Sequence, residues 1–229
     1  IITDQVIVKE ITKIFENISN LYIADGHHRA ASAARVGLEM AEKNTNHTGN
    51  EEYNFFLAVL FPHNQLRILD YNRVVKTLYN KTPDEFLAEV KKKFDIREAS
   101  EQAKPKQKGE FGMYKQKMWY YLRVKPEVAD SGDIIDKLDV SILQKHILQP
   151  LLGIDDPRTS KQIDFVGGIR GLGELEKRVD SGEMAVAFAL YPTSVEELMS
   201  IADAGKIMPP KSTWFEPKLR DGLVIHYLS

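Results

Sequence analysis

Apolar residues fall at Val6, Ile7, Ile11, Ile14, Phe15 and Ile18 of DQVIVKEITKIFENI, residues 4–18. That spacing is close to the period of one helix face, and Asp4 stands where an N-cap belongs, so the pattern predicts a helix. LYIA, residues 21–24, reads as a short strand running into Asp25. His27 to about Glu42 is rich in Ala, Arg and Glu, good helix formers, and NTNHTGNEEY supplies the turn chemistry that ends the helix. NFFLAVLF, residues 54–61, is an unbroken apolar run whose length suits a strand buried on both faces. LRILDYNRVV reads as its neighbour after a turn at Pro62–Asn64. In TPDEFLAEVKKKF, Thr82 is the cap, Pro83 takes the first helical position and Glu85 completes a capping box.

EQAKPKQKGE, residues 101–110, is polar and Lys-rich and reads as a linker, which divides the chain into parts at 1–100 and 109–229. Beyond it, EFGMYKQKMWYYLRV carries two aromatic-rich strands around a KQK turn, the pattern of a hairpin. A helix is predicted from Ser141 to Leu148, stopped by Pro150 and Gly153. IDFVGG reads as a strand, GELEKRVDSG as a helix and MAVAFALYP as a buried strand. SVEELMSIADAG reads as a helix capped by Ser194 with Glu197 and ended by Gly205. The order of elements predicts an α+β fold, a mixed sheet covered by helices.

The 229 residues are 43% hydrophobic, enough for one large domain or two small ones. A net charge of -2 and a pI near 6.4, with no long basic run, leave no electrostatic footprint for nucleic acid. No cysteine is present, which excludes disulfides, thiolate metal sites and Cys nucleophiles and fits a reducing cytoplasm. No apolar stretch approaches the roughly 18 residues of a membrane span, and no basic segment leads into an apolar one at the N-terminus. The expectation is therefore a soluble protein with no membrane partner. The first residue is Ile1, which is read as a removed start or a fragment.

The densest chemistry lies in YIADGHHRAASAARV, residues 22–36. Gly26 can take the backbone conformation that turns a strand sharply into a helix. The amides of His27, His28 and Arg29 then project unsatisfied from a helix N-terminus, a setting that favours phosphate, and Arg29 adds a guanidinium. Asp25 is suited to cap those amides, to hold magnesium or to orient a hydroxyl. A capped helix with solvated histidines is the other reading. The second constellation is IMPPKSTWFEPKLRDG, residues 207–222. Two prolines stiffen it, Lys211 offers a point charge, Ser212 and Thr213 offer hydroxyls, and Trp214 and Phe215 could stack on a base. Its other reading is a rigid crossover whose aromatics plug the core.

Other signals are weaker. His27 and His28 are adjacent on a helix, poor geometry for a shared zinc ion. The glycine pattern beginning at Gly171 has Glu176 where a dinucleotide fingerprint needs its third glycine. Asp155 and Asp156 precede Pro157 and read as turn residues, and His146 sits in an apolar helix. No Ser-His-Asp order is defensible from spacing.

IADGHHRAASA, SILQKHILQPLLGI and MPPKSTWFEPKLRDGLVIH together resemble the family called domain of unknown function 1015. The DGHHR turn is similar to the phosphate-binding turn of the ParB and sulfiredoxin-like superfamily, some of whose members bind nucleotides or phosphorylate free serine. That resemblance implies nucleotide-phosphate contacts at Asp25, Gly26, His27, His28 and Arg29, with Asp25 and His27 as catalytic candidates. Family members carry an upstream segment with a Pro-Pro-Tyr-Asp-Val-like motif that is not in this sequence, and if that segment supplies strands or a catalytic acid, the expectation is that this chain carries only part of the site. The expected ligands are ATP, ADP or CTP with magnesium at Asp25. Lys211, Ser212 and Thr213 are expected as further phosphate contacts if their loop folds back to the Asp25 turn. The implied activity is a phosphotransferase or nucleotide hydrolase acting on a small molecule, with a non-catalytic nucleotide-binding module as the alternative.

Overall fold

The Asp4 carboxylate accepts hydrogen bonds from the amides of Val6 (2.8 Å) and Ile7 (3.4 Å) and so starts α1 (Gln5–Phe15), the helix that the periodicity predicts. Its apolar positions stay exposed. The computed structural model describes residues 1–129, 132–218, 222 and 224–228. The chain divides into two units, Ile1–Leu60 with Leu219–Ser229, and Phe61–Lys218.

In the first unit α2 (His27–Lys43) is followed by a single 3-10 turn at Glu52–Asn54. Tyr53 ties the two together. Its hydroxyl accepts from Asn44 Nδ2 and meets His47 Nδ1, each at 2.9 Å. A Cβ at Gly37 would lie 2.9 Å from the Tyr53 carbonyl oxygen, so only glycine lets the turn approach the helix this closely. Neither LYIA nor NFFLAVLF forms a strand, contrary to the sequence pattern. Among the described residues of this unit there is no strand at all, and a strand needs a partner for its amides and carbonyls. Phe56 and Leu57 remain 58% and 55% exposed.

The second unit holds β1 (Arg67–Leu69), β2 (Tyr71–Val75), α3 (Pro83–Lys91), β3 (Phe94–Ala99), β4 (Glu110–Lys115) and β5 (Met118–Val124). Then come α4 (Pro126–Ala129), α5 (Asp139–Leu143), α6 (Gln149–Leu152), β6 (Ile163–Gly167), α7 (Gly173–Asp180), β7 (Val186–Leu190), α8 (Val195–Asp203) and β8 (Trp214–Glu216). Six strands make one antiparallel sheet in the order β3-β5-β4-β7-β2-β6, while β1 pairs only with β8. With helices on both faces, the fold is α+β. Thr82 and Ser194 form the predicted capping boxes with Glu85 and Glu197. The β4–β5 hairpin turns at Gln116 and Lys117, both with positive φ (50° and 62°), as a tight two-residue hairpin turn requires.

Both faces of β7 are covered. Val186, Phe188 and Leu190 join a core with Phe86, Leu143 and Ile147, whereas Ala187 and Ala189 pack with Val74, Trp119 and Leu175. The unbroken apolar run MAVAFALYP is thereby explained as a central strand. The segment expected as a linker lies inside this unit: Ala103 is fully buried, and β3 and β5 pair across the stretch in the sheet. The helix predicted to stop at Pro150 runs on to Leu152, because a π-helical segment, Gln144–Leu148, joins α5 to α6. Pro150 then falls in the first turn of α6, where its missing amide is tolerated, and Gly153 (φ 65°) ends the helix.

A Cβ at Gly112 would lie 2.1 Å from the Ala103 carbonyl oxygen, a backbone atom that cannot swing away. Gly112→Ala is expected to destabilise by about 2–3 kcal/mol in urea unfolding. Burial pushes the Asp139 carboxyl up to about 7, against the opposing hydrogen bonds that it accepts from the Gly109 amide. The folded state therefore binds a proton that the unfolded chain releases near pH 4, so this contribution to stability is present at low pH and is lost as pH rises towards 7. Asp139→Asn should flatten that slope, on the order of 3 kcal/mol at most, when unfolding is compared at pH 5 and pH 8.

Candidate functional site

The run of small and helix-forming residues after Gly26 builds α2, and the entry to that helix carries the densest polar cluster of the first unit. Gly26 is the N-cap with φ 87° and ψ 26°, a left-handed conformation that glycine adopts without steric cost. No side chain caps the helix, and the first intrahelical bond runs from the Ala30 amide to the Gly26 carbonyl at 2.9 Å. The Asp25 carboxylate accepts from the Gly26 amide at 2.8 Å, which leaves the next amides to the helix mouth. Arg29 folds back over the turn. A Cβ at position 26 would meet its Nη2 at 3.2 Å and its Nε at 3.3 Å.

Asp25, His27, His28 and Arg29 are all exposed, so the structure brings the five residues of DGHHR together at an open helix N-terminus. Asp25 and Arg29 each have further partners within the protein. The turn thus offers backbone donors, a guanidinium and two imidazoles on one side and one carboxylate on the other. Such an arrangement can receive an anion. Among the described residues no group of three or more His, Asp or Glu is placed to hold a metal ion. A magnesium ion at Asp25 would draw its other ligands from a nucleotide's phosphates and water, which is how this ion is ordinarily held.

The second constellation belongs to the second unit and has a different local role. Lys211 is exposed, with φ 56°, and its Nζ stands 5.9 Å from the centroid of the Tyr71 ring. Its carbonyl accepts from Arg73 Nη2 at 2.9 Å. Ser212 is buried. Its hydroxyl donates to the Pro209 carbonyl and its carbonyl accepts from the Thr193 hydroxyl, so as a phosphate contact Ser212 is already engaged. Thr213 is partly buried.

Trp214 and Phe215 do not present faces to a base. Phe215 is buried, and Trp214 packs over Gly167 and edge-on to Tyr71, with ring centroids 5.4 Å apart. The reading of this loop as a crossover whose aromatics plug the core holds for Phe215, while Trp214 is half-buried. Leu219, Arg220 and Asp221 of the same motif lie outside the described residues.

Sequence reasoning missed Arg73. It is 4% exposed in the middle of β2, and a charged residue interrupting the strand pattern YNRVV was the available signal.

Comparisons with known proteins bear on the family. No curated protein matches the sequence. A solved structure of a free serine kinase in complex with AMP is similar at 16% identity and TM-score 0.43, over 84% of this chain and 66% of that one. A conserved hypothetical protein from Pyrococcus furiosus is similar at 18% identity and TM-score 0.43, over 84% and 68% of the two chains. The chain thus spans about two thirds of each of those proteins. No helix among the described residues is long and apolar enough to cross a membrane. Residues 1–141 match the family described as protein of unknown function (DUF1015), and the chain belongs to that family.

Proposed function

We propose that the Asp25–Arg29 turn binds the phosphates of a nucleotide and that the protein is a nucleotide-dependent phosphotransferase or hydrolase acting on a small molecule. The observation that carries this reading is the uncapped, exposed start of α2 at a left-handed glycine, with the Arg29 guanidinium over it. Phosphoryl transfer depends on positioning and charge neutralisation, and a helix N-terminus with a guanidinium provides both. The similarity of DGHHR to the phosphate-binding turn of the ParB and sulfiredoxin-like superfamily supports the same assignment.

In this reading the amides after Gly26, with His27, His28 and Arg29, hold phosphate oxygens. Asp25 coordinates the magnesium that accompanies ATP, ADP or CTP, and His27 faces the transferred group. A second reading, a nucleotide-binding module without turnover, is favoured by one feature: Asp25 already serves the turn by accepting from the Gly26 amide. That bond makes it a positioning group as well as a candidate ligand.

Asp25→Asn separates the two. Phosphate release from ATP, ADP and CTP with magnesium should fall at least about 100-fold, while nucleotide affinity changes by less than about tenfold. Absence of turnover in the wild-type protein, with binding intact, would establish the module instead. Gly26→Ala forces a Cβ against the guanidinium at an unfavourable φ. It should abolish nucleotide binding in calorimetry while the helical circular dichroism of the protein is kept.

A further inference from the structure

A cavity of about 460 Å³ lies wholly within the second unit, and Arg73 forms part of its wall. The Arg73 guanidinium has no carboxylate partner among the described residues. It donates to the carbonyls of Tyr71 and Lys211 and lies 5.1 Å from the Phe165 ring centroid. Burial pulls this group down to about 10, against a smaller opposing effect of the Tyr71 hydroxyl, and no carboxylate among the described residues pairs with it. A buried cation without a counter-ion is costly, so one facing a cavity is a binding group for an anion.

The remaining charges on the wall narrow the ligand. Lys145 pairs with Asp136 at 3.7 Å and Arg158 with Asp156 at 2.7 Å, which neutralises four of the six. Arg73 and Asp155 are left, and Asp155, which is exposed, makes no ion pair among the described residues. Gln144 lines the same cavity. Its Nε2 donates to the carbonyls of Ile154 at 2.7 Å and Asp155 at 3.4 Å, but its buried Oε1 accepts from no group among the described residues. Two acceptors beside one cation ask for a ligand that carries hydrogen-bond donors as well as an anion. The unpaired Asp155 carboxylate disfavours a dianion beside the single unpaired cation, so a carboxylate fits better than a phosphate. Gln144 also opens the π-helical segment between α5 and α6, a local irregularity that is often found at binding sites.

We infer that this cavity binds a small amino- or hydroxy-carboxylic acid, its carboxylate against the Arg73 guanidinium and its amino or hydroxyl hydrogens directed to Asp155 and Gln144 Oε1. The inference is independent of the nucleotide reading, since every group belongs to the second unit. The C-terminal loop then has a role. The Lys211 carbonyl holds Nη2 as the Tyr71 carbonyl holds Nη1, which fixes the plane of the guanidinium and leaves its remaining hydrogens for the ligand.

The test is a nitrogen-15 NMR titration of the whole chain with L-alanine, L-lactate, acetate and inorganic phosphate. L-alanine or L-lactate should shift the Arg73 side-chain Nε–H and the backbone amides of Ser141, Lys145 and Gln149 saturably. Acetate, lacking the donor, should bind about tenfold more weakly, and phosphate more weakly still. Asp155→Asn changes an exposed residue and should fold as the wild type does. It should remove most of the advantage of L-alanine over acetate. Arg73→Met should abolish all shifts in the cavity, with circular dichroism as the check on folding. Phosphate binding as tightly as the carboxylic acids, shifts that map outside the cavity, or no saturable shift with any probe would overturn the proposal.

Discussion

A guanidinium buried in the middle of a β-strand, hydrogen-bonded to two carbonyls and set against aromatic rings, is the constraint on which the second unit turns. Arg73 sits in β2, the strand that joins β6 to β7, and it reaches Lys211 across 138 residues of sequence. Its neighbour Asn72 is fully buried and accepts from the Leu190 amide at 3.0 Å, which pins the side of β2 to β7. Two polar side chains in succession therefore tie the strand to the sheet on one hand and to the C-terminal loop on the other. Lys211 holds a left-handed backbone conformation that costs a non-glycine residue about 1–2 kcal/mol. Its carbonyl bond to Arg73 contributes to offsetting that cost.

The same loop carries Trp214 and Phe215 into β8, where they pair with Leu69 and Ile68 of β1. The long C-terminal motif is thus a structural device first: prolines limit its freedom, aromatics anchor it and a carbonyl engages Arg73. The candidate site of the first unit has a contrasting construction. There the working groups are main-chain amides, freed because Gly26 enters the helix in a conformation that brings no capping side chain. One unit presents main-chain amides at a helix start and the other a buried side-chain charge.

The pair of apolar runs NFFLAVLF and MAVAFALYP makes the limit of pattern reading concrete. Both are unbroken and both have the length of a central strand. MAVAFALYP contains β7, which has β4 and β2 on its two sides and side chains buried on both faces. NFFLAVLF has no strand partner among the described residues and stays exposed. Periodicity reports what a segment is able to bury. Pairing and cover come from segments distant in sequence, and no local pattern encodes them.

What the sequence by itself determined was local. The caps at Asp4, Thr82 and Ser194, the hairpin at Gln116–Lys117, the start of α2 after Gly26 and the stop at Gly153 all rest on interactions spanning four residues or fewer, and these were legible. So was the clustering of Asp25 to Arg29, because adjacent residues at a helix start must share one neighbourhood. Only the tertiary structure decided that the polar stretch at 101–110 packs inside a unit, that Ser212 is buried, and that Arg73 meets Gln144 and Asp155 around one cavity. Each of those outcomes depends on contacts between residues tens of positions apart, where the free energy of burial, and not the preference of any short segment, sets the result.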